Sequence, residues 1–220
     1  MQYPAHRRTI QKGMTLPELL VGLSVFAIAI AVLLNFYKEA LVDTHFEAQK
    51  NELNSTLRNL TGELLHNARQ ADYILLYESF NPQDRKDASD RLFQGKEGDL
   101  IIMVMQGKPN NNQNSNNRPI TKIIGYYRSS KSTNKTEAKG TLKRFVVDIP
   151  NGSFKEPEAL LPQSESSNFK EIAKDVSGLI NSRIFYNLNN KNLMANMSLS
   201  SGSGEYQYSH RLNLTLSPKE

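Results

Sequence analysis

One run of apolar residues constrains this chain more than anything else in it. From Leu19 to Leu34 only Gly22 and Ser24 lie outside the apolar set. The chain as a whole is polar, with a mean hydropathy of -0.53. Apolar content is thus concentrated in one segment, and the remainder must build its core from a modest supply of hydrophobic residues. No second run of about 18 apolar residues occurs, which excludes a polytopic membrane protein. Several later segments alternate as strands do, which argues against a disordered chain. A length of 220 residues accommodates one globular domain and an extra element.

The sequence contains no Cys. A disulfide framework, a thiolate metal site and cysteine catalysis are excluded, and an exported domain must be held by packing alone. The net charge of +5 is misleading. Of 27 basic residues, Arg7, Arg8 and Lys12 precede the apolar run without any acid, which leaves 24 against 22 acidic residues. The basic character is no sign of nucleic-acid binding.

The run sits in a distinctive setting, Gln11-Lys12-Gly13-Met14-Thr15-Leu16-Pro17-Glu18. A secretory signal ends in an A-x-A-like cleavage site. None follows here; Asn35-Phe36-Tyr37-Lys38 does, with helical character continuing. The apolar segment is therefore expected to be retained. Met14 to Leu34 is roughly 31 Å as a helix, enough to span a bilayer core. The preceding cations place the N-terminus in the cytoplasm and everything after Lys38 outside.

Two residues look out of place. Glu18 near the start of a membrane helix costs about 2–3 kcal/mol unless it snorkels, neutralises or pairs. Pro17 inside a helix would clash with the carbonyl of Gly13. A cut between Gly13 and Met14 would remove that carbonyl and put Pro17 in a first turn, where N–H groups lack helical partners anyway. It would also supply Glu18 with a cation, the new α-amino group of Met14.

Lys12-Gly13, Met14, Thr15-Leu16, Glu18 at the fifth position after the junction, and the apolar run together resemble the class III signal of type IV prepilins and type II secretion pseudopilins. The resemblance implies that a prepilin peptidase cuts after Gly13 and methylates the amine of Met14. It also implies that Glu18 pairs with the Met14 amine of a neighbouring subunit during filament assembly. Met14 stands where Phe is commonest, and Pro17 where Pro is unusual. A plain signal anchor with a snorkelling Glu18 is the competing reading.

From Asn35 to about Ala71 there is no Pro and only Gly62 among glycines. Leu53, Leu57, Leu60 and Leu64, then Ala68 and Ala71, form one stripe at helical period. Glu52, Arg58, Asn59, Glu63 and Asn67 are assigned to the opposite face. The helix is predicted from Met14 to Ala71, roughly 87 Å long, with its leucine stripe on the soluble domain rather than in a coiled coil.

Residues 78–98 read as a polar loop. Asp84, Asp87 and Asp90 offer oxygen ligands, but their spacing does not fit an EF-hand and Arg85, Lys86 and Arg91 interleave, so a solvated loop is expected. Asp99 to Met105 has strand length. Residues 109–117 are an Asn-rich connection. Ile120 to Tyr127 and Leu142 to Ile149 read as a hairpin, and 150–168 as irregular. Phe169, Ile172, Val176 and Ile180 suggest a short amphipathic helix. Arg183 to Leu188, Leu193 to Leu199 and Tyr206 to Leu216 complete a β-rich C-terminal half, with Leu212, Leu214 and Leu216 on one side.

Between Arg118 and Arg144 lie eight basic residues and one acid, Glu137. Arg118, Lys122, Arg128, Lys143 and Arg144 are the candidate basic contact surface, with Tyr126 and Tyr127 nearby. Such a hairpin could meet an acidic neighbour or DNA; a solvated face is the ordinary outcome for a charge run, and DNA is the weaker partner. The histidines, His6, His45, His66 and His210, are scattered, and no catalytic motif is present.

The expected fold class is α+β: a long N-terminal transmembrane-to-periplasmic helix packed on an antiparallel sheet. The divisions are a cleaved leader at 1–13, a transmembrane and filament-core helix at 14–34, its periplasmic extension at 35–71, and a β-rich periplasmic domain at 72–220. The element order is loosely similar to J-type minor pseudopilins and W-type minor pilins. The resemblance implies a single-pass inner-membrane protein that becomes a minor structural subunit of a type IV pilus or type II secretion pseudopilus. It implies no enzyme activity, no cofactor and no metal. The partners would be a prepilin peptidase, other pilin or pseudopilin subunits, the inner-membrane assembly platform and membrane lipid. A membrane-anchored periplasmic binding module using the 118–144 hairpin is the alternative.

Overall fold

The computed structural model describes residues 15–108, 118–129, 139–166, 168–202 and 207–219. The leader, the Asn-rich connection, Lys131, Lys135, Glu137 and Tyr206 lie outside the described residues. The chain forms two compact units, Met1–Glu47 and Ala48–Glu220. One helix, α1 (Leu16–Gln70), runs through the boundary between them.

In the first unit, residues 15–41 are all exposed, including Leu19, Val25, Phe26, Ile28 and Leu33. A soluble protein would not leave such a continuous apolar surface uncovered. The hydroxyl of Ser24 donates to the carbonyl of Leu20 at 2.6 Å, so its polar group is satisfied within the helix.

In the second unit the predicted stripe is buried: Leu53, Leu57, Leu60, Leu64 and Ala68 face the sheet. Two residues assigned to the solvent face are not there. Asn67 is buried and donates to the Tyr126 hydroxyl, and Glu63 pairs with Arg144 at 2.6 Å. Each flanks the stripe and finds a polar partner on the sheet, which removes the cost of leaving water.

The strands are β1 (Tyr73–Tyr77), β2 (Glu97–Gly98), β3 (Leu100–Gln106), β4 (Ile120–Ser129), β5 (Gly140–Ser153), β6 (Lys170–Gly178), β7 (Phe185–Asn187), β8 (Leu193–Ser201) and β9 (Tyr208–Leu216). They form one antiparallel sheet in the order β1-β3-β4-β5-β6-β8-β7-β2, with β9 added to β8. The α+β layout agrees with the sequence.

Several elements differ from expectation: β2 lies inside the segment expected to be a loop, and β5 runs on to Ser153, into the stretch expected to be irregular. β1 was not predicted; it follows the helix directly and pairs with β3, while the Asp72 carboxylate accepts from the Gln106 amide at 2.6 Å. The predicted helix at 169–180 is strand β6. Ala173 and Val176 are buried three residues apart because Asp175 adopts φ 50° and re-phases the strand. An irregular strand thereby imitates helical spacing. It also lets β6 pair with β5 on one side and β8 on the other.

β3 is apolar from Leu100 to Met105, and Leu100 to Val104 are buried because both faces are covered there. Ile101 and Met103 face the α1 side; Leu100, Ile102 and Val104 face a second core with Tyr77, Ile123, Tyr127, Phe145 and Leu161. The irregular loops cover this second face. Phe80 stacks on Tyr127 with centroids 4.3 Å apart, and Phe169 meets both Phe145 and Tyr127. Arg85, lying over the Phe80 ring, donates to the Phe80 and Pro162 carbonyls and ties the two loops together.

β2 and β3 are one segment bent at Asp99, so β2 reaches β7 while β3 stays with β1 and β4. The bend requires Gly98: a Cβ there would collide with the Tyr77 carbonyl oxygen.

Candidate functional site

The N-terminal end of α1 is built by Thr15-Leu16-Pro17-Glu18. Thr15 precedes the helix, and its amide and its hydroxyl each donate to Glu18 Oε2 at 2.9 Å. The Leu19 amide donates back to the Thr15 carbonyl at 3.1 Å. A Thr whose N–H is captured by a Glu three residues on is half of a capping box. The helix therefore starts at Leu16, not Met14. Pro17 lies in the first turn of the helix, where a missing N–H costs no helical hydrogen bond. The T-x-x-E spacing was the sequence signal for this cap. Gly13 and Met14 lie outside the described residues.

The five basic residues of the hairpin region do not form a free cationic surface. Arg118 faces Asp72 at 3.7 Å, Lys122 faces Asp148 at 3.5 Å, Lys143 faces Glu165 at 2.5 Å and Arg144 faces Glu63 at 2.6 Å. Arg128 is buried and bonds Asp99 at 2.8 Å. Asp148 faces Lys122 across the hairpin itself, while the other acids come from other elements, so sequence charge alone could not reveal the pairing.

Asp99 is the polar centre of the domain. Its Oδ2 accepts from Arg128 and from Arg183, the latter at 2.7 Å. Arg183 also binds Glu78, and Arg128 the Ser182 carbonyl. This knot joins the β2–β3 bend, the end of β4 and the loop before β7. A cleft of about 620 Å³ opens beside it, lined by Glu78, Phe80, Asp99, Tyr127, Arg128 and Arg183 among others. Asn181 and Ser182 on its rim hold φ of 45° and 63°, a strained region for residues with a Cβ.

Three tyrosines donate to carboxylates: Tyr77 to Glu158 at 2.5 Å, Tyr126 to Glu63 at 2.7 Å and Tyr127 to Glu165 at 2.6 Å. Burial first, and the adjacent carboxylate second, push all three hydroxyls well above the ordinary tyrosine range. They remain neutral donors. Burial likewise raises Tyr73, to about 12. Burial would raise Glu158 too, but hydrogen bonds from Arg91 and Tyr77 outweigh it and hold the carboxyl below its usual value.

Asp84, Asp87 and Asp90 are taken up by local donors. Asp84 accepts from the Ser79 hydroxyl, Asp87 from the Ser89 amide and hydroxyl, and Asp90 from the Lys86 amide. The loop is organised by turns that these carboxylates cap.

With this geometry in place, the comparison that decides the N-terminal segment is a family match over residues 8–34, described as the prokaryotic N-terminal methylation motif. The chain carries the class III signal of type IV pilins and pseudopilins. No curated protein and no solved structure matches the chain. The methylation motif supports a pilin- or pseudopilin-like substrate of prepilin peptidase, assembling with other pilins, and points to a structural subunit. The motif runs into a helix long and apolar enough to cross a membrane, which supports membrane anchoring.

Proposed function

We propose that the chain is a minor subunit of a type IV pilus or type II secretion pseudopilus. In this reading the leader is removed after Gly13, Met14 is N-methylated, the N-terminus faces the cytoplasm and the strand-rich unit is periplasmic until assembly. The observation that carries the proposal is the methylation motif continuing into the exposed apolar helix that bears Glu18. That surface needs lipid before assembly and neighbouring helices after it, and an assembly platform would move it between the two.

Glu18 is the assembly residue. In the uncut chain its carboxylate is held by Thr15. After cleavage, the methylated amine of a neighbour's Met14 offers a charged partner in place of neutral donors, which is the stronger interaction where water is scarce. Exchange of partner would couple processing to subunit register. The reading of the hairpin as a binding face draws no support from its five candidate cations, since each has an acid of its own chain opposite it.

The test is mass spectrometry of the mature N-terminus from membranes with and without a prepilin peptidase. A chain beginning at Met14 with one added methyl group, found only with the peptidase, is expected. A chain beginning at Met1, or cut beyond Leu34, overturns the proposal.

A further inference from the structure

β9 is an edge strand. It pairs with β8 over its whole length, Leu193↔Leu216 through Ser201↔Tyr208, without a register shift. The other side of β8 is occupied by β6 and β7. Among the described residues, no backbone hydrogen bond leaves 209–216 on the outer side. Among the described residues β9 has no proline, no bulge and no strand on its outer side, and Arg211 is its one charged residue of the kind that usually guards an edge.

A groove of about 400 Å³ lies between the N-terminal half of β9 and α1. It is lined by Leu57, Arg58, Thr61 and Gly62 of α1 and by His210, Arg211 and Leu212 of β9, of which Leu57 and Leu212 are buried. Among the described residues Arg58 and Arg211 have no ion pair. They contrast with the five hairpin cations, each matched by an acid. Gly62 is the second unusual feature. A Cβ placed on it would meet nothing within 4 Å, so the fold of this chain gives no steric reason for glycine at that position. Glycine inside a helix is costly, and here its effect is to keep the groove open.

We propose that the outer edge of β9 and this groove accept an extended, acid-bearing segment of a partner protein as an added strand. The backbone of the segment would pair with 209–216. Alternate side chains would lie over Leu57, Thr61 and Gly62, and its carboxylate would meet Arg58 and Arg211. Main-chain hydrogen bonds supply affinity in such complexes, and the pockets beneath alternate residues supply selectivity. The proposal does not depend on the filament reading: processing at Gly13 and strand addition at β9 are read by different measurements.

The test uses the full chain in detergent micelles and a capped nonapeptide of alternating valine and threonine carrying two central glutamates. Two control peptides carry lysines for the glutamates, or prolines at alternate positions. Expected results are slowed amide exchange along 208–216 with the glutamate peptide and at least tenfold weaker binding of both controls. Arg58→Glu with Arg211→Glu should reverse the charge preference. Gly62→Leu, which has open space to occupy, should keep the melting transition and lose the peptide. Binding without protection of 208–216, equal binding of the lysine peptide, no binding at all, or pairing of β9 with a second copy of itself would each overturn the proposal.

Discussion

The hydroxyl of Tyr126 on β4 donates to the Glu63 carboxylate on α1 at 2.7 Å and accepts from Asn67 Nδ2 at 2.6 Å. A single side chain of the sheet thus satisfies two polar residues of the helix within the apolar interface. Tyr126→Phe would leave Asn67 buried without its acceptor, while Glu63 keeps Arg144. The expected loss is about 1–3 kcal/mol, seen as a lower urea midpoint with an unchanged slope.

Asp99→Asn should be among the most damaging polar substitutions. It leaves the buried Arg128 guanidinium without the Asp99 carboxylate and leaves Arg183 with Glu78 as its remaining carboxylate. Breaking a buried pair on one side costs about 3–5 kcal/mol. A loss below 1 kcal/mol in equilibrium unfolding would show that the knot is not holding the strand bend.

Acid should weaken the strand-rich unit through Glu158 and Glu165. For Glu158, burial works upward but the Arg91 and Tyr77 hydrogen bonds prevail; for Glu165, bonds from Lys143 and then Tyr127 lower it. A depressed folded pKa contributes stability present above the unfolded value, about 4.3 for Glu, and lost as pH falls through the folded one. Urea midpoints are expected to be level from pH 7 to about 5 and to drop below about 4.3. Glu158→Gln should lower the pH 7 value and flatten that drop.

Two glycines should respond oppositely to alanine. Gly125 pairs with Phe145 across β4 and β5, and a Cβ on it would enter the Phe145 ring. Overpacking of this kind costs about 1–3 kcal/mol. Gly62→Ala meets open space and should stabilise the helix by up to about 1 kcal/mol. Thermal melts of the two variants, run side by side, check both signs.

Glu18 separates capping from assembly. Thr15→Val removes one of the two donors to its carboxylate and leaves the amide. It should leave filament incorporation near normal. Glu18→Ala should leave cleavage intact and strongly reduce incorporation, measured as the fraction of processed subunit recovered in sheared filaments. Equal incorporation of both variants would remove the pairing role.

The leucine stripe of α1 and the last two strands were legible because their burial follows a local period of 3.6 or 2, and the hairpin because its two segments have strand length and are rich in β-branched and aromatic residues. β6 was not, because the positive φ of Asp175 shifted its alternation into a helix-like spacing. β1 was missed between a helix end and a polar loop. At the candidate site, Glu18 stood out as an acid in an apolar run. Its partner Thr15 is readable from the T-x-x-E capping spacing. The hairpin cations looked free because Glu63, Asp72, Asp99 and Glu165 lie far away along the chain.

By itself the sequence determined the methylation motif, the apolar helix and the α+β class. These depend on neighbours within a few residues, so composition and spacing carry them. Only the tertiary structure decided which charges are spent, where the strand bends and which sheet edge stays open. Asp99 meets partners 29 and 84 residues away. Contacts closed over such distances leave no periodic mark in a single chain.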